Sequence, residues 1–306
     1  MRKLLLAFAA TLSVGAGAQV FNVNSLAPVA LPPDVGSKVV AISGQGDFLL
    51  LTADDNRGLT KLDLNSGRAQ NISLAAGAGY DARVSPDGKR VVYRENSFTA
   101  GRLRMVSLHS INLETGKSQE LVAPTRSLQG VSINNQAAMP VTRGQVAAKG
   151  FESKVSNKNG VVLSINNRQL MISRNGKTHN LSPNGKDKSY LWPSLSPNGT
   201  KILYYVGAEG TFVCNLDGTD VRPLGVIRAP QWWDDNTVVG MYDEDDGDFV
   251  YASHIVATNL QGQKQTLTPD SLIAMYPKVA TKAGKIVFST PNGKAYVMNV
   301  TKSLQP

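Results

Sequence analysis

The chain has a single cysteine, Cys214, in 306 residues, so no disulfide can close within it and the fold must hold by packing. Between Val213 and Asn215 in a strand-like run, Cys214 reads as a small buried core residue rather than a reactive thiol. Histidine is nearly as scarce: His109, His179 and His254 stand far apart, with no His-x-x-x-His spacing that would gather a metal ion. There is no Cys-x-x-Cys pair, no Gly-rich phosphate loop and no Gly-x-Ser-x-Gly elbow, which leaves an enzymatic reading little to stand on. Long apolar runs are also missing. The longest, Leu4 to Val14, is too short to span a bilayer, so no membrane span is expected. The net charge is +9, but Lys and Arg are scattered and never form a dense run, which argues against a nucleic-acid partner and leaves only diffuse attraction to anionic surfaces. No segment sustains a helical period, so the chain is expected to be all-β.

What is present begins with a leader. Met1-Arg2-Lys3, the apolar stretch, and the small residues Ala16-Gly17-Ala18 have the three-part layout of a secretory signal peptide. Residues 1–18 are therefore expected to be removed, leaving 19–306 as one domain in the periplasm or outside the cell. No cysteine follows the cleavage site, so no lipid anchor is expected there.

The stretch Tyr190 to Tyr205 reads as a hairpin: Leu195-Ser196 enters a turn in which Pro197 presets a negative φ and Gly199 can take a positive one, and Ile202 to Tyr205 leaves as an apolar strand. The same chemistry recurs. Ser196 has counterparts at Ser43, Ser85, Ser156, Trp233 and Ala280, about 40 residues apart except between Ser85 and Ser156, where about 30 extra residues intervene. A polar turn and a short closing strand follow each hairpin, as at Leu64-Asn65-Ser66-Gly67 and Leu113-Glu114-Thr115-Gly116. Four short strands per unit, here A to D, repeated at this spacing make the blades of a β-propeller. The expected architecture is a six-bladed β-propeller of four-stranded antiparallel blades, with an insertion at about 124–150 that forms a small extra hairpin turning at Asn134-Asn135. Because the last unit runs out of chain before a D strand while Val20 to Ala30 is left over, the N-terminal segment is expected to supply that outer strand and close the ring.

Ala82 to Tyr93, with Ser85-Pro86-Asp87-Gly88-Lys89, and Pro193 to Ile202, with Ser196-Pro197-Asn198-Gly199, resemble the Pro-x-Trp-Ser-Pro-Asp-Gly-Lys repeat of TolB-type, WD40-like propellers. Pro230-Gln231-Trp232 and Pro277-Lys278-Val279 resemble its opening, and the likeness runs over the whole mature chain. It implies a fold used for periplasmic scaffolds and for non-catalytic domains of exported peptidases.

In such a propeller the D-to-A joins and B-to-C hairpins meet on one face around the central channel. That face would collect Tyr80, Asp81, Tyr190, Trp192, Arg228 and Tyr276, the candidate ligand-binding set, whereas Trp232 matches the repeat's own structural Trp. The acidic loop Asp243-Glu244-Asp245-Asp246-Gly247-Asp248 raises the prospect of Ca²⁺ held by Asp243, Asp245 and Asp248, against the plainer reading of a solvated hairpin tip. No other cofactor is expected. The function expected is an exported, monomeric, non-catalytic scaffold that binds a protein or peptide partner in the cell envelope. The alternative is a glycan-binding protein or carbohydrate-active enzyme using the same face.

Overall fold

The computed structural model describes residues 19–152, 155, 160–174 and 176–303; the expected signal peptide, 1–18, and the turn expected at Ser156 to Asn159 lie outside them. The repeated turn forms for the reason its residues suggest. At Ser196 the Gly199 N–H donates to the Ser196 carbonyl at 2.8 Å, and Gly199 takes φ +69°. The Ser196 hydroxyl accepts from the backbone N–H groups of Thr200 and Lys201 at 3.2 and 3.0 Å and donates to Asn198 Oδ1 at 2.8 Å. Ser85 accepts from Arg90 N–H and Ser43 from Asp47 N–H in the same way, and all three serines are buried. A hydroxyl that satisfies the start of the B strand from inside the turn explains why serine recurs there.

Among the described residues these hairpins build seven antiparallel sheets, not six. Blade one comprises Lys38–Ile42, Phe48–Thr52, Leu59–Asp63 and Ala69–Ser73, and blade two comprises Arg83–Val84, Arg90–Phe98, Arg104–Asn112 and Ser118–Thr125. Blade five runs from Tyr190–Leu195 through Lys201–Val206 and Gly210–Asn215 to Arg222–Gly225. Blade six is Arg228–Asp234, Thr237–Asp245, Val250–Asn259 and Lys264–Thr266. The inner three strands of blade seven are Met275–Ala280, Lys285–Thr290 and Lys294–Lys302.

The six-blade expectation fails between Pro124 and Asn180. The insertion at 124–150 makes a sheet of its own, blade three: Leu128–Ile133 pairs with Ala137–Thr142, and two-residue strands Gln145–Val146 and Lys149–Gly150 pair beside the latter. Blade four keeps three strands, Val162–Asn166, Gln169–Arg174 and Lys177–Asn180. The hairpin does turn at Asn134-Asn135, but it is an A-to-B hairpin in the ring. Asn135 Oδ1 accepts from Asp87 N–H in the turn of blade two at 3.0 Å, just as Asp235 Oδ1 of blade six accepts from Asn198 N–H of blade five at 2.9 Å. What looks like an addition to one long unit is two abbreviated units.

Seven apolar clusters then weld the sheets, each drawing on two successive blades. Leu50 and Val91 share one between blades one and two; Val92 and Val131 between two and three; Met139 and Val162 between three and four. Ile172 and Tyr204 meet between four and five, Leu203 and Trp232 between five and six, Met241 and Phe288 between six and seven, and Leu51 and Val287 between seven and one. The last of these closes the circle. No blade could bury its two faces without its neighbours, which is the reason the ring forms as a unit.

The closing strand lies where the leftover segment was expected. Phe21–Pro28 pairs antiparallel with Lys294–Lys302 as the outer strand of blade seven. Its start is clamped by blade six: Gln265 Oε1 accepts from Val20 and Phe21 N–H at 2.8 Å, and its Nε2 donates to the Phe21 carbonyl at 2.9 Å. Phe21 is fully buried, edge-on to Trp233 with ring centroids 4.8 Å apart.

Candidate functional site

The inner strand of several blades is kinked at one recurring place. In blades five, six and seven the A-to-B register shifts between Leu191 and Ser194, between Arg228 and Gln231, and between Met275 and Lys278. Trp192, Ala229 and Tyr276, inside those shifts, have φ of 49°, 46° and 55°, and Asp81 at the entrance to blade two has φ 53°. A non-glycine residue held left-handed costs about 1–2 kcal/mol. The sequence carries the cause: Pro193, Pro230 and Pro277 follow the kinked residue in three blades and have no N–H to give the ladder, so a bulge forms where the ladder is interrupted. The channel wall is therefore a ring of bulges that turn selected side chains off the pleat.

The mouth is defined by the joins packed against the B-to-C hairpins. Asn96 N–H donates to the Ala76 carbonyl at 2.8 Å, Gly207 N–H to Ser189 at 2.8 Å, and Ala274 N–H to Ser253 at 2.9 Å. Blades two and six carry the longest hairpins, and these continue past the joins to exposed tips: Phe98 and Leu103 on blade two, Phe249 and Tyr251 on blade six.

The expected binding residues separate into groups. Tyr190 stands apart from the others. It is fully buried between blades four and five, its hydroxyl accepting from Asn184 N–H at 2.8 Å and donating to the Gly185 carbonyl at 3.1 Å. A large aromatic at a blade interface is worth more as packing than as a contact surface. Trp192 is half-exposed and lies edge-on to Tyr205, centroids 5.3 Å apart; Tyr205 in turn reaches Arg228. Arg228 Nη1 donates to Asp243 Oδ2 at 2.7 Å, with Asp245 at 3.6 Å. Thus Trp192 and Arg228 belong to one chain of contacts across blades five and six.

On blade two, Tyr80 and Asp81 form a second group. Asp81 Oδ1 accepts the fork of Arg83 at 3.1 and 2.9 Å, and its Oδ2 accepts from Arg94 at 3.2 Å. The Arg94 guanidinium lies over the exposed Tyr80 ring, 5.3 Å from its centroid, and also donates to the Gln129 carbonyl of blade three at 3.4 Å. Tyr276 is half-exposed on blade seven, with its N–H directed at Met241 Sδ.

The acidic loop is not gathered for a metal. The Asp243 side chain is 2 % exposed and paired with Arg228, so a guanidinium already stands between Asp243 and Asp245 where a cation would. Asp245 Oδ1 caps Gly247 N–H, and Asp248 is exposed at the tip; no group of three metal-ligating side chains is placed to share an ion among the described residues. Burial raises the Asp243 carboxyl above the ordinary carboxylate range despite Arg228, and its Oδ1 has no hydrogen-bond partner among the described residues.

Two further groups bear on chemistry. Ser107 Oγ lies 2.8 Å from His109 Nε2, but Glu95 faces the same ring nitrogen at 3.7 Å, so hydroxyl and carboxylate compete for one nitrogen instead of flanking the ring as a nucleophilic relay needs. Cys214 is buried and its thiol is pushed up to about 12, which keeps it protonated and inert. The residues that sequence reasoning passed over are Lys38, Arg83, Arg94 and Lys278. Three lie in A strands of consecutive blades and Arg94 in a B strand; Arg83, Arg94 and Lys278 stand in or beside the repeat's stretches, at positions whose residue the repeat does not specify.

No protein-family model matches the chain, and no curated protein matches it. Among solved structures, a chain of a mitotic checkpoint complex crystal structure aligns with a TM-score of 0.60 at 10 % identity, covering 99 % of this chain and 100 % of that one. The β-propeller domain of the trilobed protease from Pyrococcus furiosus, described as having an open velcro topology, aligns with a TM-score of 0.53 at 13 % identity over 84 % of this chain and 91 % of that one. An oligogalacturonate lyase in complex with manganese aligns with a TM-score of 0.47 at 14 % identity, covering 85 % and 76 %. At these identities the likeness shows the fold alone: the chain is an all-β β-propeller.

Proposed function

We propose that this protein is an exported, TolB-type propeller that acts as a non-catalytic scaffold, taking a protein or peptide partner of the cell envelope at its channel mouth. The observation that carries the reading is the pair of long hairpins. Blades two and six stand on opposite sides of the ring, and their hairpins run beyond the joins to expose Phe98 and Leu103 on one side and Phe249 and Tyr251 on the other. Apolar tips rimmed by charge are the composition of a contact surface rather than of a solvated loop. The side chains below them, Trp192, Tyr276 and Tyr80, offer flat faces on a wall stiffened by bulges and ion pairs.

A photo-crosslinking residue placed at Phe249, at Phe98 or at Asn71 on the outer strand of blade one tests this in cells. Discrete protein adducts from the two hairpin sites and none from Asn71 support the reading. Equal adducts from all three sites, or none, overturn it. The glycan reading rests on half-exposed Trp192 and Tyr276; saturable quenching of tryptophan fluorescence by oligosaccharides, lost in Trp192→Phe, together with absent protein adducts, would replace the first reading with that one.

A further inference from the structure

The channel wall formed by blades seven, one and two carries more positive charge than its one carboxylate balances. Lys278 lies just past the bulge of blade seven, paired in register with Val287; Lys38 opens the inner strand of blade one and Arg83 that of blade two. Arg94 stands behind them with its side chain 7 % exposed. Against these four cations the only carboxylate in the group is Asp81, and both its oxygens are occupied by Arg83 and Arg94. Lys38 Nζ donates to Asn56 Oδ1 at 3.0 Å. Lys278 has neither a hydrogen-bond acceptor nor an ion-pair partner among the described residues. Burial holds its ammonium below the ordinary lysine range; Asp81 works against that, while Arg83 and Lys38 add to it.

A partly buried ammonium without a partner and with two like charges nearby costs free energy in the unliganded protein. Structural lysines escape that cost through a carboxylate partner, and partly buried Lys278 has none among the described residues. Cations of this kind match an oxyanion well: a lysine provides a compact charge, and an exposed guanidinium provides a planar fork that suits carboxylate or phosphate oxygens. Arg83, 41 % exposed, can turn its free edge to a ligand while Arg94 keeps Asp81 in place.

We propose that this wall is an oxyanion-binding site, in which a carboxylate or phosphate group of a ligand enters the channel and takes Lys278 as its main contact, flanked by Arg83 and Lys38. The site concerns the charged group of the ligand and stands whether or not the mouth grips a protein, so the hairpin crosslinks and the anion site can fail separately.

The probes are inorganic phosphate, citrate and acetylated tri-glutamate amide, titrated by calorimetry at low ionic strength into the wild type, Lys278→Gln, Lys278→Arg and Lys117→Gln, the last changing an exposed lysine in an outer turn of blade two. Saturable one-to-one binding is expected, weakened about tenfold or more in Lys278→Gln, retained in Lys278→Arg and unchanged in Lys117→Gln. A preference for phosphate over the carboxylate probes, or the reverse, separates the two sources. The thermal melt adds a second readout: Lys278→Gln, having lost an uncompensated charge, should melt no lower than the wild type. Equal affinity in the wild type and Lys278→Gln, no saturable binding of any probe, or a markedly lower melting temperature in Lys278→Gln would overturn the proposal.

Discussion

Blades two and six hold ion pairs at the channel mouth that are inverted relative to each other. On blade six the buried member is the carboxylate: Asp243 is 2 % exposed, and its partner Arg228 is 37 % exposed. On blade two the buried member is the guanidinium: Arg94 is 7 % exposed, and its partner Asp81 is 31 % exposed. The same fold element therefore sets opposite charges into the two sides of one mouth, with Asp243 to Asp248 making one side acidic and Arg83, Arg94, Lys38 and Lys278 making the other basic. The difference matters because a carboxylate can shed its charge by taking a proton and a guanidinium cannot.

Breaking each pair from its exposed side tests this inversion. Arg228→Met strands Asp243 without a partner and should produce the largest loss, about 3 kcal/mol at neutral pH by denaturant unfolding. The Asp243 carboxyl is already raised in the folded state, so the folded form loses stability as pH rises through its titration, and removing Arg228 moves that titration higher. The deficit of Arg228→Met should accordingly shrink as pH falls toward 4. Asp81→Asn leaves Arg94 with the Gln129 carbonyl and the Tyr80 ring, so its loss at neutral pH should be smaller, about 2 kcal/mol. A loss in Asp81→Asn as large as that in Arg228→Met would break the comparison. Tyr80→Ala, which removes only the ring beneath the guanidinium, should cost about 1 kcal/mol and sharpen the apportioning of Arg94 between its contacts.

How legible these features are in the sequence follows from how local their causes are. The hairpin turns were readable because serine, proline and glycine act within five residues of one another. The closing strand was readable because one unit lacked a strand and one segment lacked a unit. Blade number was misread because blades three and four are both abbreviated, so their combined length passed for one unit plus an insertion. The signal that separates them, Asn135 in the place where blade six has Asp235, has meaning only once the neighbouring turn is brought beside it. The burial of Tyr190 was hidden for a related reason: an aromatic before an inner strand can face the mouth or the seam, and packing against Tyr204 decided it.

The sequence by itself determined the strand and turn chemistry, the repeated unit and the means of closure, since each rests on backbone preferences and side-chain bonds between near neighbours. Tertiary structure alone decided that the ring has seven blades and that Arg228 meets Asp243 while Arg94 meets Asp81. It also left Lys278 without a partner among the described residues. Those outcomes depend on which strands the ring places together and on how much water remains between them, and neither quantity is written in any short stretch of chain.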